Sequence, residues 1–433
     1  MQCSRRVFPA LFILFFVALS ASGQVASSPF SKFGVGELNN GGIAQNQGMG
    51  GLGISNPTGW YLNNINPALL VFNRVTVFQG GMQMEKNTAY DGTNTQSFAS
   101  GNLNYLAIAF PVMAGKWTTS VGTMPYSSVS YNLSYQTLIT GSSNIPMNVQ
   151  ETGKGGISQF YWSNGVALNR YFSLGVKASY LFGAINIKDF NTLSGVAVNN
   201  YSALVSQYSF GGTNFTGGIS FHKDSLFKKN YRLNIGLIYS LRTNTGVKHK
   251  ATTESISLSG VVIDSTTISN LSAKFTLPQS FGAGISFGKI DHWTAGADFT
   301  LLDYKNYESY QIKFPDYNQY SQTREVPTTS YRASIGGEII PKGEDYTNYL
   351  NRVAYRVGAT YERFPFLVNG NPLTDIAGTF GFSLPVNGFS TVDLGVRIGQ
   401  RGIVSQNSLQ ENYFRIYFGI TFNDRWFIKR KFD

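Results

Sequence analysis

Residues 414–422 read Phe-Arg-Ile-Tyr-Phe-Gly-Ile-Thr-Phe, so that every second side chain is bulky and apolar. The positions between them hold small, polar or charged residues, Arg415 among them, and this period of two is typical of a β-strand with one wholly apolar face. The same alternation recurs in residues 392–399 and 353–361. A soluble sandwich of two sheets would show it too, so strand number and loop length must separate the two architectures.

Strand number and connection length favour a membrane barrel. Fourteen strands are predicted, near residues 72–85, 102–113, 117–133, 151–169, 171–188, 204–222, 231–250, 273–288, 292–311, 328–340, 347–362, 376–385, 389–402 and 410–422. The connections alternate between short turns, such as 114–116 and 289–291, and long loops, predicted at 86–101, 134–150, 252–272, 313–327 and 363–375. An even strand number with short turns at the end that holds both termini is typical of outer-membrane barrels. We therefore predict an all-β fold, a 14-stranded antiparallel transmembrane β-barrel with an N-terminal plug, closed because lipid offers no hydrogen-bond partner to a sheet edge.

The composition agrees with this fold and excludes two others. Aromatic residues make up 15% of the chain and charged residues only 13%, against about 25% charged in soluble domains, and a disordered chain would have few aromatics and many charges. A membrane helix needs about 20 consecutive apolar residues, and the longest apolar run beyond the first 23 residues, 105–114, is about half of that. Aromatic residues near strand ends suit either interface girdles or core packing: Trp117, Trp162, Tyr171, Trp293, Tyr304, Tyr307, Tyr361 and Tyr413.

The two chain ends are predicted to lie outside the barrel. Arg5 and Arg6 precede an apolar stretch and small residues at 21–23, the pattern of a signal peptide over residues 1–23, with a single anchoring helix as the alternative. The one cysteine, Cys3, leaves with this peptide, which removes disulfide and thiolate chemistry from the mature chain. We place a hatch or plug at 24–70, the barrel at 71–424 and a short basic periplasmic tail at 425–433, whose charges indicate a solvated end rather than a nucleic-acid surface.

The segment before the first strand is rich in Gly and Asn and shows little alternation. Its residues 48–53 match the dinucleotide fingerprint G-x-G-x-x-G in form, but no strand precedes them and no helix pattern follows, so a nucleotide site is rejected. A barrel of this size is too wide for its own side chains to fill. A segment of small residues packed inside the barrel is the better interpretation.

Several motifs occur together in a known order. Residues 48–55 are followed by Asn66-Pro67-Ala68, and the later stretches are 277–284, 293–298 and 355–365. In this order they resemble FadL-type outer-membrane transporters of hydrophobic compounds, whose hatch carries an Asn-Pro-Ala signature. Residues 28–36 and 426–430 resemble barrel proteins of Bacteroidetes-type bacteria. The resemblance implies a hatch motif at Asn66, Pro67 and Ala68.

Pro125 lies inside the third predicted strand, where its missing N–H breaks a ladder hydrogen bond. The resembling transporters have a kinked third strand that opens the wall sideways, which makes Gly122 and Pro125 candidates for a lateral opening. A bulge or a strand end is the alternative. Six charged residues are expected to point into the lumen if the apolar faces meet lipid: Lys177, Asp298, Arg356, Asp393, Arg397 and Arg415. They are expected either to pair and brace the plug or to bind the carboxylate of a ligand.

The sequence predicts no enzyme, metal site or cofactor, because the three histidines show neither ligand spacing nor a catalytic motif. The expected function is passive uptake of hydrophobic or amphipathic small molecules, fatty-acid-like, with lateral exit into the membrane. A barrel scaffold that docks protein partners at its long outer loops, such as type IX secretion components, and a general porin are the alternatives. The expected location is the outer membrane of a Gram-negative bacterium, with membrane lipid and a hydrophobic ligand as partners and no nucleic acid.

Overall fold

The computed structural model describes residues 28–39, 42–138, 146–193, 199–226, 229–304, 328–345, 347–387 and 390–424. The predicted signal peptide and the predicted basic tail lie outside these ranges, so both stay predictions. Within these ranges, no helix has both the length and the apolar character needed to cross a bilayer.

Fourteen antiparallel strands form one closed sheet, which confirms the predicted architecture. In chain order they are β1 (Thr76–Tyr90), β2 (Thr95–Met113), β3 (Trp117–Leu138), β4 (Pro146–Ala167), β5 (Phe172–Leu193), β6 (Asn200–Asp224), β7 (Tyr231–Ser240 with Thr243–Ser257), β8 (Val262–Leu277 with Gln279–Lys289), β9 (Trp293–Asp303), β10 (Ser330–Ile339), β11 (Ala354–Val368), β12 (Asn371–Asn387), β13 (Ser390–Arg401) and β14 (Gln410–Asp424). The sheet closes where β14 pairs with β1, from Gln410 opposite Tyr90 to Asp424 opposite Thr76. Closure gives both terminal strands a partner, as lipid requires.

The connections differ from the prediction in two ways. Most of the predicted long loops are strand: only residues 91–94, 258–261 and 369–370 separate the paired strands in three of those regions. The polar outer ends of these strands lack the apolar alternation on which the prediction relied. The predicted loop 313–327 lies outside the described residues. At the short-turn end, the connection between β10 and β11 spans 340–353 and contains a 3₁₀ helix, Tyr349–Arg352, where the sequence predicted only 341–346.

The apolar faces of the strands point outward. In β14, Phe414, Phe418 and Phe422 are 41%, 38% and 47% exposed on the outer surface, whereas Arg415 is buried inside. A sandwich would place these rings between two sheets, so the barrel is the architecture that fits. Tyr413 has the same parity as Arg415 and is buried in the lumen, so for this residue the interpretation as a girdle aromatic is wrong.

Residues 28–39 and 42–73 run through the lumen and are mostly buried. They include a one-turn α-helix, Ala44–Gln47, and a 3₁₀ helix, Pro67–Phe72. Glycine allows this chain to lie against the wall: Gly50 has a φ of +70°, and a Cβ on Gly336 would sit 2.6 Å from the Met49 carbonyl oxygen. This close backbone approach explains the small residues of the segment.

Candidate functional site

The Asn66-Pro67-Ala68 motif forms a compact turn inside the barrel. The Asn66 carboxamide oxygen accepts a hydrogen bond from the Ala68 N–H at 3.0 Å, and its amide group donates to the Ile54 carbonyl oxygen at 2.7 Å. Pro67 occupies the first position of the 3₁₀ helix, where no N–H is needed. Asn66 thus caps the helix and ties two parts of the N-terminal segment together, which is a structural role.

A row of glycines on the wall receives this turn. Gly165, Gly175 and Gly218 lie opposite one another on β4, β5 and β6. A Cβ on any of the three would collide with Asn66 or Pro67. The motif and the glycines therefore form one packing unit, and a side chain at any of these positions would push the turn away from the wall.

Two of the predicted lumen charges hold the backbone of the N-terminal segment. The Asp298 carboxylate accepts hydrogen bonds from the Gly53 and Ile54 N–H groups, each at 2.8 Å. Lys177 donates from Nζ to the Asn64 carbonyl oxygen at 3.0 Å. Both side chains are therefore engaged in holding the backbone of the N-terminal segment.

Arg356 and Asp393 belong to a second group of contacts. Arg356 forms an ion pair with Glu338 at 2.5 Å and donates to the Ser383 hydroxyl at 2.6 Å. The same hydroxyl hydrogen-bonds to Asp393, whose other oxygen accepts from Thr421 at 2.9 Å. The chain of contacts links β10 to β14 across the inner wall and braces it.

Arg397, Arg401 and Arg415, here called the arginine cluster, lie together on the inner wall, where Arg401 and Arg415 bind the N-terminal segment. The Glu37 carboxylate contacts Arg401 at 2.8 Å and Arg415 at 2.5 Å. The remaining charges pair with wall carboxylates: Arg397 and Arg401 with Asp375 at 3.2 and 3.3 Å, Arg415 with Glu85 at 2.9 Å, and Arg401 with Glu411 at 3.6 Å. Buried charges need such partners, and only Glu37 among these carboxylates comes from the N-terminal segment.

The Glu37 carboxyl is buried next to the side chains of Arg401 and Arg415. Burial by itself would raise the pKa of this carboxyl, but the charges of Arg401 and Arg415 and their hydrogen bonds outweigh it and hold the pKa well below the usual range. The carboxylate is therefore charged at neutral pH, and the contact with the arginine cluster is complete there.

The opposite wall of the same region is apolar. A buried cluster extends over β3 to β8 and includes Val129, Tyr131, Ile157, Ile185, Phe210 and Phe275. Val35 of the N-terminal segment packs against this cluster. The outer part of the lumen thus has one apolar wall and one charged wall, which can match the two ends of an amphipathic molecule.

Two adjoining cavities lie between these walls. An apolar cavity of about 50 Å³ is lined by residues that include Phe33, Tyr126 and Phe366. A polar cavity of about 70 Å³ is lined by residues that include the whole arginine cluster and Pro125. Both cavities share Glu37, Leu38, Glu362, Phe364 and Arg401 in their linings.

The pairing of β2 with β3 is incomplete. It runs from Trp117 opposite Met113 to Thr123 opposite Leu106 and extends no further among the described residues. Beyond this point β2 stays paired with β1, and β3 stays paired with β4 after a register shift at Pro125. The wall therefore has a gap between the outer halves of β2 and β3, which begins after Thr123, next to Pro125.

Residues 28–39, here called the strap, cover the free edge of β3. Glu37 and Leu38 pair with Ser128 and Ser127 as a short antiparallel strand. The Ser28 N–H donates to the Ser130 carbonyl oxygen at 2.8 Å, so the strap contacts β3 at two levels. The strap satisfies part of the edge that β2 leaves open.

The structure brings some predicted residues together and separates others. Arg397 and Arg415 lie in one cluster, Arg356 and Asp393 in another, while Asp298 and Lys177 each hold backbone elsewhere. Gly122 is paired with Ala107, inside the last paired stretch below the gap, and Pro125 lies at the gap and lines the polar cavity.

The sequence reasoning missed Arg401, Glu85 and Glu37. Arg401 continues the odd-numbered inward series of Asp393 and Arg397, so the same alternation could have identified it. Glu85 lies at an inward position of β1 and had the same signal. Glu37 is in a segment without periodicity, and no sequence signal marks it. Within the described ranges, no group of three or more His, Cys, Asp or Glu residues has the geometry of a metal site.

This architecture is similar to that of several known proteins. The model of the BamG family matches residues 5–433. The fold is similar to that of the CymD monoaromatic hydrocarbon channel, at 15% identity over 90% of this chain and 99% of that chain, with a TM-score of 0.56. It is also similar to the Pseudomonas putida toluene transporter TodX, at 15% identity over 90% and 99% with a TM-score of 0.55, and to a Pseudomonas aeruginosa FadL homologue, at 10% identity over 89% and 98% with a TM-score of 0.55. No curated protein matches the sequence.

Proposed function

The chain belongs to the BamG family, and we propose that this outer-membrane barrel conducts hydrophobic or amphipathic small molecules passively, with lateral exit into the membrane. In this proposal residues 1–23 are removed on export, and residues 24–70 form a plug inside the barrel of residues 71–424. CymD and TodX, which share the fold, are by name a monoaromatic hydrocarbon channel and a toluene transporter.

The observation that carries the proposal is the gap between β2 and β3 beside the two cavities. Tyr126 lines the apolar cavity and Pro125 the polar one, and both lie on the free part of β3. A molecule in the lumen therefore lies next to the interruption in the wall. An apolar molecule gains nothing by entering aqueous periplasm, whereas lateral movement into lipid keeps its surface dry.

The strap must move for this route to operate. Cavities of about 50 and 70 Å³ are far smaller than the roughly 300 Å³ that a typical small-molecule site provides. The strap lines the apolar cavity with Phe30, Phe33 and Val35, which fill the space between the apolar wall and the gap. Displacement of the strap would join the cavities and uncover the gap at once.

A disulfide clamp tests this route. Leu38 lies opposite Ser127, and opposed residues of antiparallel strands have the separation that a disulfide needs. The variant L38C/S127C should lose uptake of a hydrophobic probe such as toluene or a fatty acid into proteoliposomes when oxidised and regain it when reduced.

A matched clamp controls for the chemistry. N148C/T192C joins β4 to β5 at opposed positions, away from the strap, and should leave uptake unchanged in both redox states. Equal uptake by oxidised and reduced L38C/S127C, or uptake no faster than in protein-free liposomes, would refute the proposal.

A scaffold for protein partners, such as type IX secretion components, is the second candidate, with the docking surface at the short-turn end instead of at the predicted long outer loops, most of which are strand. The connection 340–353 at the short-turn end is longer than a turn requires, and it exposes Tyr349 and Leu350. Affinity purification of a stable partner that is lost in Y349S/L350S, together with unchanged hydrophobic uptake in a deletion strain, would favour this candidate. Single-channel conductance in planar bilayers separates both from a general porin.

A further inference from the structure

Three lysines form a cationic patch on the outside of the barrel. Lys248 and Lys250 on β7 and Lys274 on β8 are all exposed. Lys248 lies opposite Ser272 and Lys250 opposite Asn270, so Lys274 is the diagonal neighbour of Lys248. Outward residues two apart on a strand and diagonal residues on adjacent strands are about 7–8 Å apart at most. One anionic group can thus contact two or three of these ammonium groups.

The surroundings of the patch are polar and uncharged. On the neighbouring strand β6, Gln207 lies opposite Lys250 and Ser209 opposite Lys248, and both are exposed. None of the three lysines forms an ion pair within the described part of the chain. The acidic residue further out on β7, Glu254, is bound to Lys188 at 2.8 Å. The patch therefore has uncompensated positive charge together with hydroxyl and amide groups suited to a phosphorylated sugar.

The patch lies above the lipid-facing band of the same strands. Leu237, Tyr239 and Phe281 are 39%, 45% and 45% exposed on the outer surface below it. At roughly 2.5 Å of height per residue of a tilted strand, Lys274 lies about 12 Å beyond Gln279. The lysines are at the end of the barrel opposite both chain termini, which is the outer side of the membrane in such barrels.

We propose that Lys248, Lys250 and Lys274 bind the phosphate groups of a phosphorylated glycolipid in the outer leaflet, whose acyl chains lie against the apolar band below. The continuity of an apolar surface with a cationic patch above it matches a molecule that has acyl chains at one end and phosphorylated sugars at the other. An acidic protein would need no such apolar continuation into the membrane. This site is independent of the lumen and of the proposed uptake.

Binding of purified lipid A to the detergent-solubilised full-length barrel tests the site. Each lysine near an anionic membrane surface contributes about a fivefold effect on binding, so K248Q/K250Q/K274Q should bind bis-phosphorylated lipid A on the order of 100-fold more weakly, as measured by native mass spectrometry. Wild type should bind dephosphorylated lipid A as weakly as the variant binds the phosphorylated form.

A charge-matched variant separates a local site from general attraction. K116Q/K223Q/K342Q removes three exposed lysines at the opposite end of the barrel and should keep wild-type affinity for lipid A. Equal loss in both triple variants, equal binding of both lipid A forms, or loss in the patch variant of an acidic protein partner with lipid A affinity retained would each overturn the proposal. Retained heat-modifiable migration on gels shows that each variant is folded.

Discussion

Replacement of Glu37 by Gln tests whether the contact with the arginine cluster holds the strap in place. The carboxylate is the strap's contact with Arg401 at 2.8 Å and Arg415 at 2.5 Å, and Gln keeps the shape while removing the charge. We expect the variant to fold into the same barrel but to release residues 28–39 more often.

The expected free-energy cost of E37Q depends on which carboxylates remain paired with each arginine. Removal of one partner of a buried ion pair typically costs about 3–5 kcal/mol because a charge is left alone. Here Arg401 keeps Asp375 at 3.3 Å and Arg415 keeps Glu85 at 2.9 Å. The expected cost is therefore smaller, about 2–3 kcal/mol, which corresponds to a roughly 30- to 150-fold rise in the released population.

Hydrogen exchange measures this population directly. The Ser28 and Asn39 N–H groups donate to β3 carbonyl oxygens, so their exchange should accelerate by the same factor in E37Q. The control E254Q removes the partially exposed ion pair with Lys188, and strap exchange should stay at the wild-type rate. Unchanged exchange of the strap amides in E37Q, with the barrel folded, would refute the reasoning.

The same contact predicts a pH dependence with a defined sign. The folded-state pKa of Glu37 lies below the usual range, so the contact stabilises the attached strap fully above about pH 4.3, the ordinary Glu pKa. This stabilisation is lost as the pH falls through the folded-state pKa. The part of strap exchange that depends on Glu37 should therefore appear only in strong acid, after correction for intrinsic exchange, and should be absent in E37Q.

Two further substitutions test the fold. Gly358→Ala would place a Cβ against the backbone of Met49 and Gly50 and should lower the free energy of unfolding by about 1–3 kcal/mol. In the control Gly378→Ala the new Cβ meets nothing within 4 Å, so the free energy of unfolding should not change. Both are measured by urea titration of the lipid-reconstituted barrel. Phe418→Arg on the lipid face should cost about 2–4 kcal/mol in the same titration if the residue lies near the bilayer midplane. A cost below about 1 kcal/mol for either destabilising change would contradict the assigned packing or orientation.

The direction in which the strands face was predictable because it rests on a local property. Alternation of apolar and polar residues over residues 414–422 places Phe414 and Arg415 on opposite faces whatever the rest of the chain does. Lipid then accepts only the apolar face, which is why the strand number, the closed barrel and the inward position of Arg415 followed from the sequence.

The pairing of charged side chains inside the lumen was not predictable, because the paired residues lie far apart in the chain. Glu37 meets Arg401 and Arg415 across separations of 364 and 378 residues. Its own segment has no periodicity that would fix where it runs. The apolar wall was missed because only charged residues were expected to point into the lumen, whereas inward residues such as Val247 and Phe275 are apolar.

The sequence by itself determined the number of strands, their lipid-facing sides and the small-residue character of the N-terminal segment, because each depends only on short-range periodicity or composition. Only the tertiary structure decided that the strap pairs with β3, that the pairing of β2 with β3 stops at Leu106 and Thr123, and that the strap is bound by the arginine cluster. These features arise when a non-periodic segment is enclosed by a closed sheet, where buried charges and free backbone groups must find partners that no local pattern specifies.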